Sequence, residues 1–229
     1  LQQGNPTNDI LYFVGEDAPV DPLPKEKLEP AIPDGYDYDF CNRDILESVR
    51  VEDGKLVLPN GLEYAVLAVL KSDHMRPEVL KVIENLLKEG GVVVAYEPVR
   101  VPGLNNKEEV SKKLQSLTEQ IWENTAGKTN FKNTYGKGKI YSTESVQNAL
   151  SDLNLLPDFD FSLESIDHYG ETLLPGRGVE FIHRETAEKD VYFVSNQHYK
   201  PKTIRAVFRV ENKLPELWDP ENGEITTAP

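Results

Sequence analysis

The chain is poor in sulfur, with one cysteine, Cys41, and one methionine, Met75, in 229 residues. A lone cysteine excludes an internal disulfide framework and any paired-cysteine metal site. Basic residues are also scarce, 25 against 39 acidic ones, which leaves a net charge of −14. A body this anionic repels phosphate backbones, so nucleic acid is not an expected partner. No apolar stretch approaches the roughly 18 residues that a membrane-spanning helix needs. The four histidines, His74, His168, His183 and His198, lack HxH or HxxxH spacing, which argues against zinc. The glycines of "YGKGKI" (135–140) lack phosphate-loop spacing, and a strand rather than a helix follows them. The chain opens "LQQGNPTNDI", without an initiator methionine or a targeting segment, as expected of a piece of a longer polypeptide.

Hydrophobic residues make up 38% of the chain and fall in runs, the pattern of a packed core. "DILYFVG" (9–15) reads as a strand buried on both faces. Five prolines between Pro19 and Pro33 then impose an extended, irregular loop. "RDILESV" reads as a short helix capped by Asn42, and Asp53-Gly54 marks a hairpin within 49–58. "LEYAVLAVL" (62–70), a helix opened by Pro77 and stopped by Gly90-Gly91, and "VVVAYEP" (92–98) form a strand–helix–strand unit. Such a unit implies parallel strands and a right-handed crossover. A helix over 107–124, a strand at 139–141 and another helix after it continue the alternation. The expected architecture is α/β: three layers around a mostly parallel, doubly wound sheet, glutamine-amidotransferase-like or flavodoxin-like. After Pro175 only strands follow, so a second, small antiparallel β domain of incomplete sandwich type is expected over 176–229, with the α/β domain over 1–175.

Several residues could carry chemistry. An amidotransferase elbow would present a cysteine after "VVVAYEP", but Glu97-Pro98 stands there, and Cys41 lies upstream as a buried structural thiol. The acids of "PDGYDYDF" lack the order of a Ca²⁺ loop, so no metal ligand is assigned. Glu16 and Asp17 follow the first core strand at its carboxyl end, where open α/β sheets bind ligands. A carboxylate there is a candidate general acid, general base or metal ligand, and the structural alternative is a strand-end acid capping loop amides. Tyr36, Tyr38 and Trp218, if exposed, would offer stacking faces to a sugar. In "HRETAEKDVYFVSN" (183–196), His183 and Arg184 point to opposite faces of a hairpin, and Arg184 could pair with Asp190 across the turn. No nucleophile accompanies them, so that hairpin is read as structural. Alternation in "RAVFRV" sends Ala206, Phe208 and Val210 to the core and the arginines to solvent. Trp218 is expected to cover that sheet.

Five segments together resemble glycoside hydrolase family 106, the bacterial α-L-rhamnosidases: "DILYFVGEDAP", "GYDYDFCNRDIL", "DGKLVLPNGLEYAVLAVL", "IHRETAEKDVYFVSNQ" and "PELWDPENGE". They are long and keep the family's order along nearly the whole chain. The resemblance implies a periplasmic or extracellular enzyme that inverts rhamnosides of plant glycans, with acidic catalytic residues and a calcium ion in the parent. It also implies an upstream catalytic barrel in the same polypeptide, this segment lying downstream and holding no cofactor of its own. An inverting site needs two carboxyl groups about 6.5–9.5 Å apart, and adjacent Glu16 and Asp17 do not supply that. The expected function is therefore a non-catalytic accessory segment. The alternatives are a stand-alone glycoside hydrolase using Glu16, and a carbohydrate-binding module.

Overall fold

The computed structural model describes residues 3–16, 23–103, 108–123, 130–163, 178–197 and 201–228. A two-residue strand, β1 (Asn5–Pro6), precedes β2 (Ile10–Phe13), all four residues of which are buried. β3 (Tyr38–Cys41) follows the proline-rich loop. The helix α1 (Arg43–Ser48) begins at Asn42, whose side chain accepts from the Ile45 amide at 3.0 Å, as a cap should. Next come β4 (Arg50–Glu52), β5 (Lys55–Val57) and β6 (Glu63–Tyr64), an antiparallel meander. Its first turn is Asp53-Gly54, both with positive φ, 51° and 82°, as a type I′ turn requires.

The alternating part continues with β7 (Val66–Val69), α2 (Pro77–Glu89) and β8 (Val92–Val94). Pro77 starts α2 where its missing amide costs nothing, and Gly90 ends it in the left-handed region at φ 115°. α3 (Glu108–Ile121), the hairpin of β9 (Phe131–Tyr135) with β10 (Gly138–Ser142), and α4 (Gln147–Asp152) follow. β2, β3, β7, β8, β9 and β10 build a six-stranded sheet in the order β3-β2-β7-β8-β10-β9. All neighbours pair in parallel except β9, which runs antiparallel at the edge.

Side-chain alternation gives this sheet two apolar faces. Leu11, Phe13, Leu67 and Val69 pack with Leu80 and Ile83 of α2 and with Ile121 and Trp122 at the end of α3. Ile10, Tyr12, Val66 and Ala68 pack on the other side with Ala149 and Leu150 of α4 and with Leu28, Ile32 and Tyr36 of the loop. The expected single strand over 62–70 is divided, because Glu63-Tyr64 pairs into the meander and only Val66–Val69 enters the large sheet.

The remaining strands are β11 (Phe159–Leu163), β12 (Val179–Glu185), β13 (Asp190–Asn196), β14 (Ile204–Phe208), β15 (Glu216–Trp218) and β16 (Ile225–Thr227). They form three small antiparallel groups, β1-β12-β13, β11-β14 and β15-β16. Two pairings cross residue 175, where the sequence places its domain boundary: β1 with β12 and β11 with β14. An aromatic cluster joins these strands, with Phe159 against Phe181 at 5.2 Å and Phe208 against Tyr192 at 4.7 Å. Phe208 touches this cluster but is 38% exposed, and Ala206, expected in the core on the same face, is exposed as well, so the strand does not bury that face as its alternation predicts.

Three expectations need correction here. Arg184 does not reach Asp190; its guanidinium donates to the carbonyls of Gln3 and Gly4, tying the start of the chain to β12. Arg209 is not a solvent residue, because the buried Asp9 carboxylate draws it inward at 2.8 Å. Trp218 covers no sheet; it sits on the β15-β16 hairpin and is 60% exposed.

Candidate functional site

The carboxyl ends of β2, β7 and β8 form one edge of the large sheet, and Glu16 stands there. Gly15, at φ 90°, turns the chain just past β2 so that Glu16 folds back toward the start of α2. The Glu16 side chain is only 5% exposed, and its Oε2 accepts from the Arg76 backbone amide at 2.7 Å. The Arg76 guanidinium lies 3.6 Å from Oε1, which has no hydrogen-bond partner. A carboxylate at this point meets the positive end of the helix dipole and an amide that the helix leaves unpaired. Glu16 is therefore held by α2 rather than presented to solvent.

Two other acids of this edge are also engaged. Asp73 accepts from Arg100 at 2.8 Å and meets the His74 ring at 2.9 Å, and the arginine hydrogen bond holds its carboxyl down at about 2. Glu29 accepts from Lys71 and from the Tyr96 hydroxyl, and the lysine contact lowers its pKa. Glu97, which sequence reasoning passed over as a carboxylate, sits at the tip after β8 with its pKa raised by burial. No thiol accompanies it; Cys41 is buried, and desolvation pushes its pKa up to about 12. A thiol in that state is not a nucleophile at neutral pH.

The proposed sugar-stacking residues lie elsewhere. Tyr36 is 2% exposed and its hydroxyl donates to the Leu155 carbonyl at 2.7 Å, so it offers no ring face. Tyr38 is half-buried, edge-on to Phe40 at 5.1 Å, and its register opposite Ile10 puts it at the end of β2 away from Glu16. Trp218 is open, with Nε1 donating to Glu216 at 3.1 Å and the Lys189 amine 5.9 Å from its ring. Asp17 lies outside the described residues. Glu16, Tyr36, Tyr38 and Trp218 therefore do not converge on one cleft.

A second polar cluster is more deeply built. His183 on β12 is 4% exposed and lies between two carboxylates. Its Nδ1 is 2.8 Å from Asp158 and its Nε2 is 3.0 Å from Asp190. Asp158, 1% exposed, also accepts from the Tyr192 hydroxyl at 2.7 Å. Arg209 lies 3.6 Å from Asp158, and Lys213 pairs with Asp190. A neutral imidazole has one N–H, so two carboxylate partners are both satisfied only by the doubly protonated ring. Burial disfavours that charge, but the hydrogen bonds and charges of Asp158 and Asp190 outweigh it and raise the His183 pKa. A ring with both nitrogens protonated has no lone pair to act as a base. The cluster is an ionic clasp between β12, β13 and the segment before β11. Sequence reasoning placed His183 and Asp190 on the hairpin but missed Asp158, Asp9 and Arg209, which no local spacing connects to them. Among the described residues, no group of three or more His, Cys, Asp or Glu side chains is arranged to hold a metal.

Comparison with known proteins agrees in direction. The family model for glycoside hydrolase family 106, described as alpha-L-rhamnosidase, matches residues 1–228. A Formosa agariphila protein that carries a provisional beta-glucuronidase name is 33% identical over 225 residues, which cover 98% of this chain and 17% of that protein. The solved structure of a rhamnosidase from Novosphingobium sp. PP1Y is similar with a TM-score of 0.82 and 27% identity, over 99% of this chain and 20% of that one. Gan42B, a GH42 beta-galactosidase, shares the fold alone, at 11% identity and a TM-score of 0.53 over 96% of this chain and 38% of its own. The chain spans about a fifth or less of the first two relatives.

Proposed function

Because this chain belongs to glycoside hydrolase family 106, the α-L-rhamnosidases, we propose that it is a non-catalytic accessory segment of a longer enzyme acting on rhamnose-containing glycans. The observation that carries the reading is Glu16. It is the acid best placed to belong to a catalytic edge, yet its carboxylate is folded onto the start of α2. An inverting hydrolase needs a protonated acid and a second carboxylate across a water, about 6.5–9.5 Å apart. Of the nearby acids, Asp73 and Glu29 are neutralised by Arg100 and Lys71, while burial raises the pKa of Glu97. The fraction of each relative that the chain spans supports the same reading, since it leaves room for a catalytic region outside these residues.

Glu16→Gln in the longer enzyme tests it. A capping carboxylate stabilises by about 1 kcal/mol, so the variant should melt a few degrees lower and keep its kcat. A general acid or base contributes about 10²–10⁴-fold. A fall of that size in kcat, with unchanged melting, would move Glu16 into the active site.

A further inference from the structure

A cleft of about 300 Å³ opens between the β9-β10 hairpin and α4, at the small end of the range for small-molecule sites. Three elements bring polar side chains to it, each at its own period. Asn130 and Lys132 lie two residues apart where β9 begins, and register sets Lys132 opposite Tyr141 of β10. Asn148, Ser151 and Asp152 stand at positions i, i+3 and i+4 of α4, which share one face of a helix. Tyr141 belongs to the apolar layer beneath α4, so the cleft is a polar margin on that layer. Inside it, Asp152 accepts from the Tyr141 hydroxyl at 2.6 Å and from the Lys132 ammonium. Both bonds use Oδ2, so among the described residues Oδ1 keeps its lone pairs for a further donor. The ammonium has three hydrogens and spends one on Asp152. The Lys132 hydrogen bond lowers the Asp152 pKa, so the pair stays ionised at neutral pH. A fixed acceptor thus stands beside a fixed donor.

We propose that this cleft binds a neutral sugar through two neighbouring hydroxyls, one donating to Asp152 Oδ1 and the other accepting from Lys132. The amides of Asn130 and Asn148 and the Ser151 hydroxyl serve the rest of the ring. The proposal deepens the accessory-segment reading and rests on it in one respect: the sugar is held there and not cleaved. The residues of the cleft choose this ligand. One ammonium and one carboxylate, already paired, leave no net charge to draw an ion. An anion would also meet a body of net charge −14. A divalent cation needs several oxygen ligands, and Lys132 already sits on the one carboxylate that the described residues bring to the cleft. An apolar ligand would leave these polar groups unpaired, which is costly. Neighbouring hydroxyls, each both donor and acceptor, match a donor and an acceptor set side by side. Hydrogen bonds to charged partners are also the stronger kind.

Backbone-amide NMR spectra of the 229-residue chain, titrated with L-rhamnose and with D-glucose, test the proposal. Amides of residues 130–132 and 148–152 should shift saturably with at least one of the two sugars. Asp152→Asn, which removes the charged acceptor, should weaken binding by about tenfold or more. Asn148 is exposed on α4, so Asn148→Ala leaves the packing intact and should weaken binding by about fivefold. The open Trp218 ring, with Glu216 and Lys189 beside it, is the competing place for a sugar, and Trp218→Ser should leave the titration unchanged. Shifts that vanish in Trp218→Ser and persist in Asn148→Ala put the sugar on the β15-β16 hairpin and overturn the proposal. So do spectra that neither sugar moves, and cleft amides that respond only to sodium phosphate or calcium chloride. Turnover of an aryl rhamnoside by the chain would overturn the accessory reading, while the affinity of the cleft stands or falls on the titration.

Discussion

His183 ties the β12-β13 hairpin to the segment before β11. Both of its ring nitrogens face carboxylates, Asp158 and Asp190, and Tyr192 stacks on the ring at 4.0 Å. Asp9 and Arg209 complete the surroundings through Asp158, and Lys213 through Asp190. The pKa of His183 is raised above its ordinary 6.5, so the protonated ring binds its proton more tightly in the folded chain. The stability it contributes is therefore fully present below about pH 6.5 and is lost as pH rises through the folded value. Asp190 is shifted the other way; burial raises it, but Lys213 and His183 lower it further, so its contribution is lost only in acid. Urea midpoints should fall from pH 6 to pH 9 in the native chain, with a much flatter profile in His183→Gln. At pH 6 that variant should be less stable by about 3 kcal/mol, because it leaves two buried carboxylates facing each other. Parallel pH profiles for the two proteins would refute this account of the clasp.

At the scale of elements, the β9-β10 hairpin docks against α2 through glycine. A Cβ on Gly138 would stand 2.3 Å from the Gly91 carbonyl oxygen and 2.5 Å from that of Leu87, so the backbones themselves would have to part. Gly54, in the turn between β4 and β5, also has positive φ but meets nothing within 4 Å. Gly138→Ala should cost about 3 kcal/mol by overpacking and Gly54→Ala about 1 kcal/mol by backbone strain alone, measured by thermal unfolding. Similar losses for the two would show that the hairpin can shift without penalty. The same elements show what a sequence exposes. β2, β7 and β8 were legible because they are buried on both faces and read as unbroken apolar runs. β3 was not, because Asp39 interrupts "YDFC" while spending its carboxylate on the Tyr64 hydroxyl. β9, "FKNTY", is an edge strand with polar positions facing out, and no run marks it. The clasp was hidden for a different reason: its ion pairs join residues 25 and 200 positions apart, which local periodicity cannot report.

For the whole molecule, the family is established along residues 1–228, and the site within it is defined by what its acids are doing. Among the described carboxylates at the sheet edge near Glu16, Glu16 is held by the start of α2, Asp73 by Arg100 and Glu29 by Lys71, while burial raises the pKa of Glu97. The side chains considered for sugar stacking are buried, half-buried on the opposite end of β2, or placed on a separate hairpin. On the reading proposed above, such a segment contributes packing surface and stability to a longer enzyme, and the chemistry lies outside it. The direct measurement is turnover of an aryl α-L-rhamnoside by the purified 229-residue chain. The account predicts no release of the aryl group above background, with Glu16→Gln indistinguishable from the native chain. Turnover by the native chain that Glu16→Gln abolishes would contradict it.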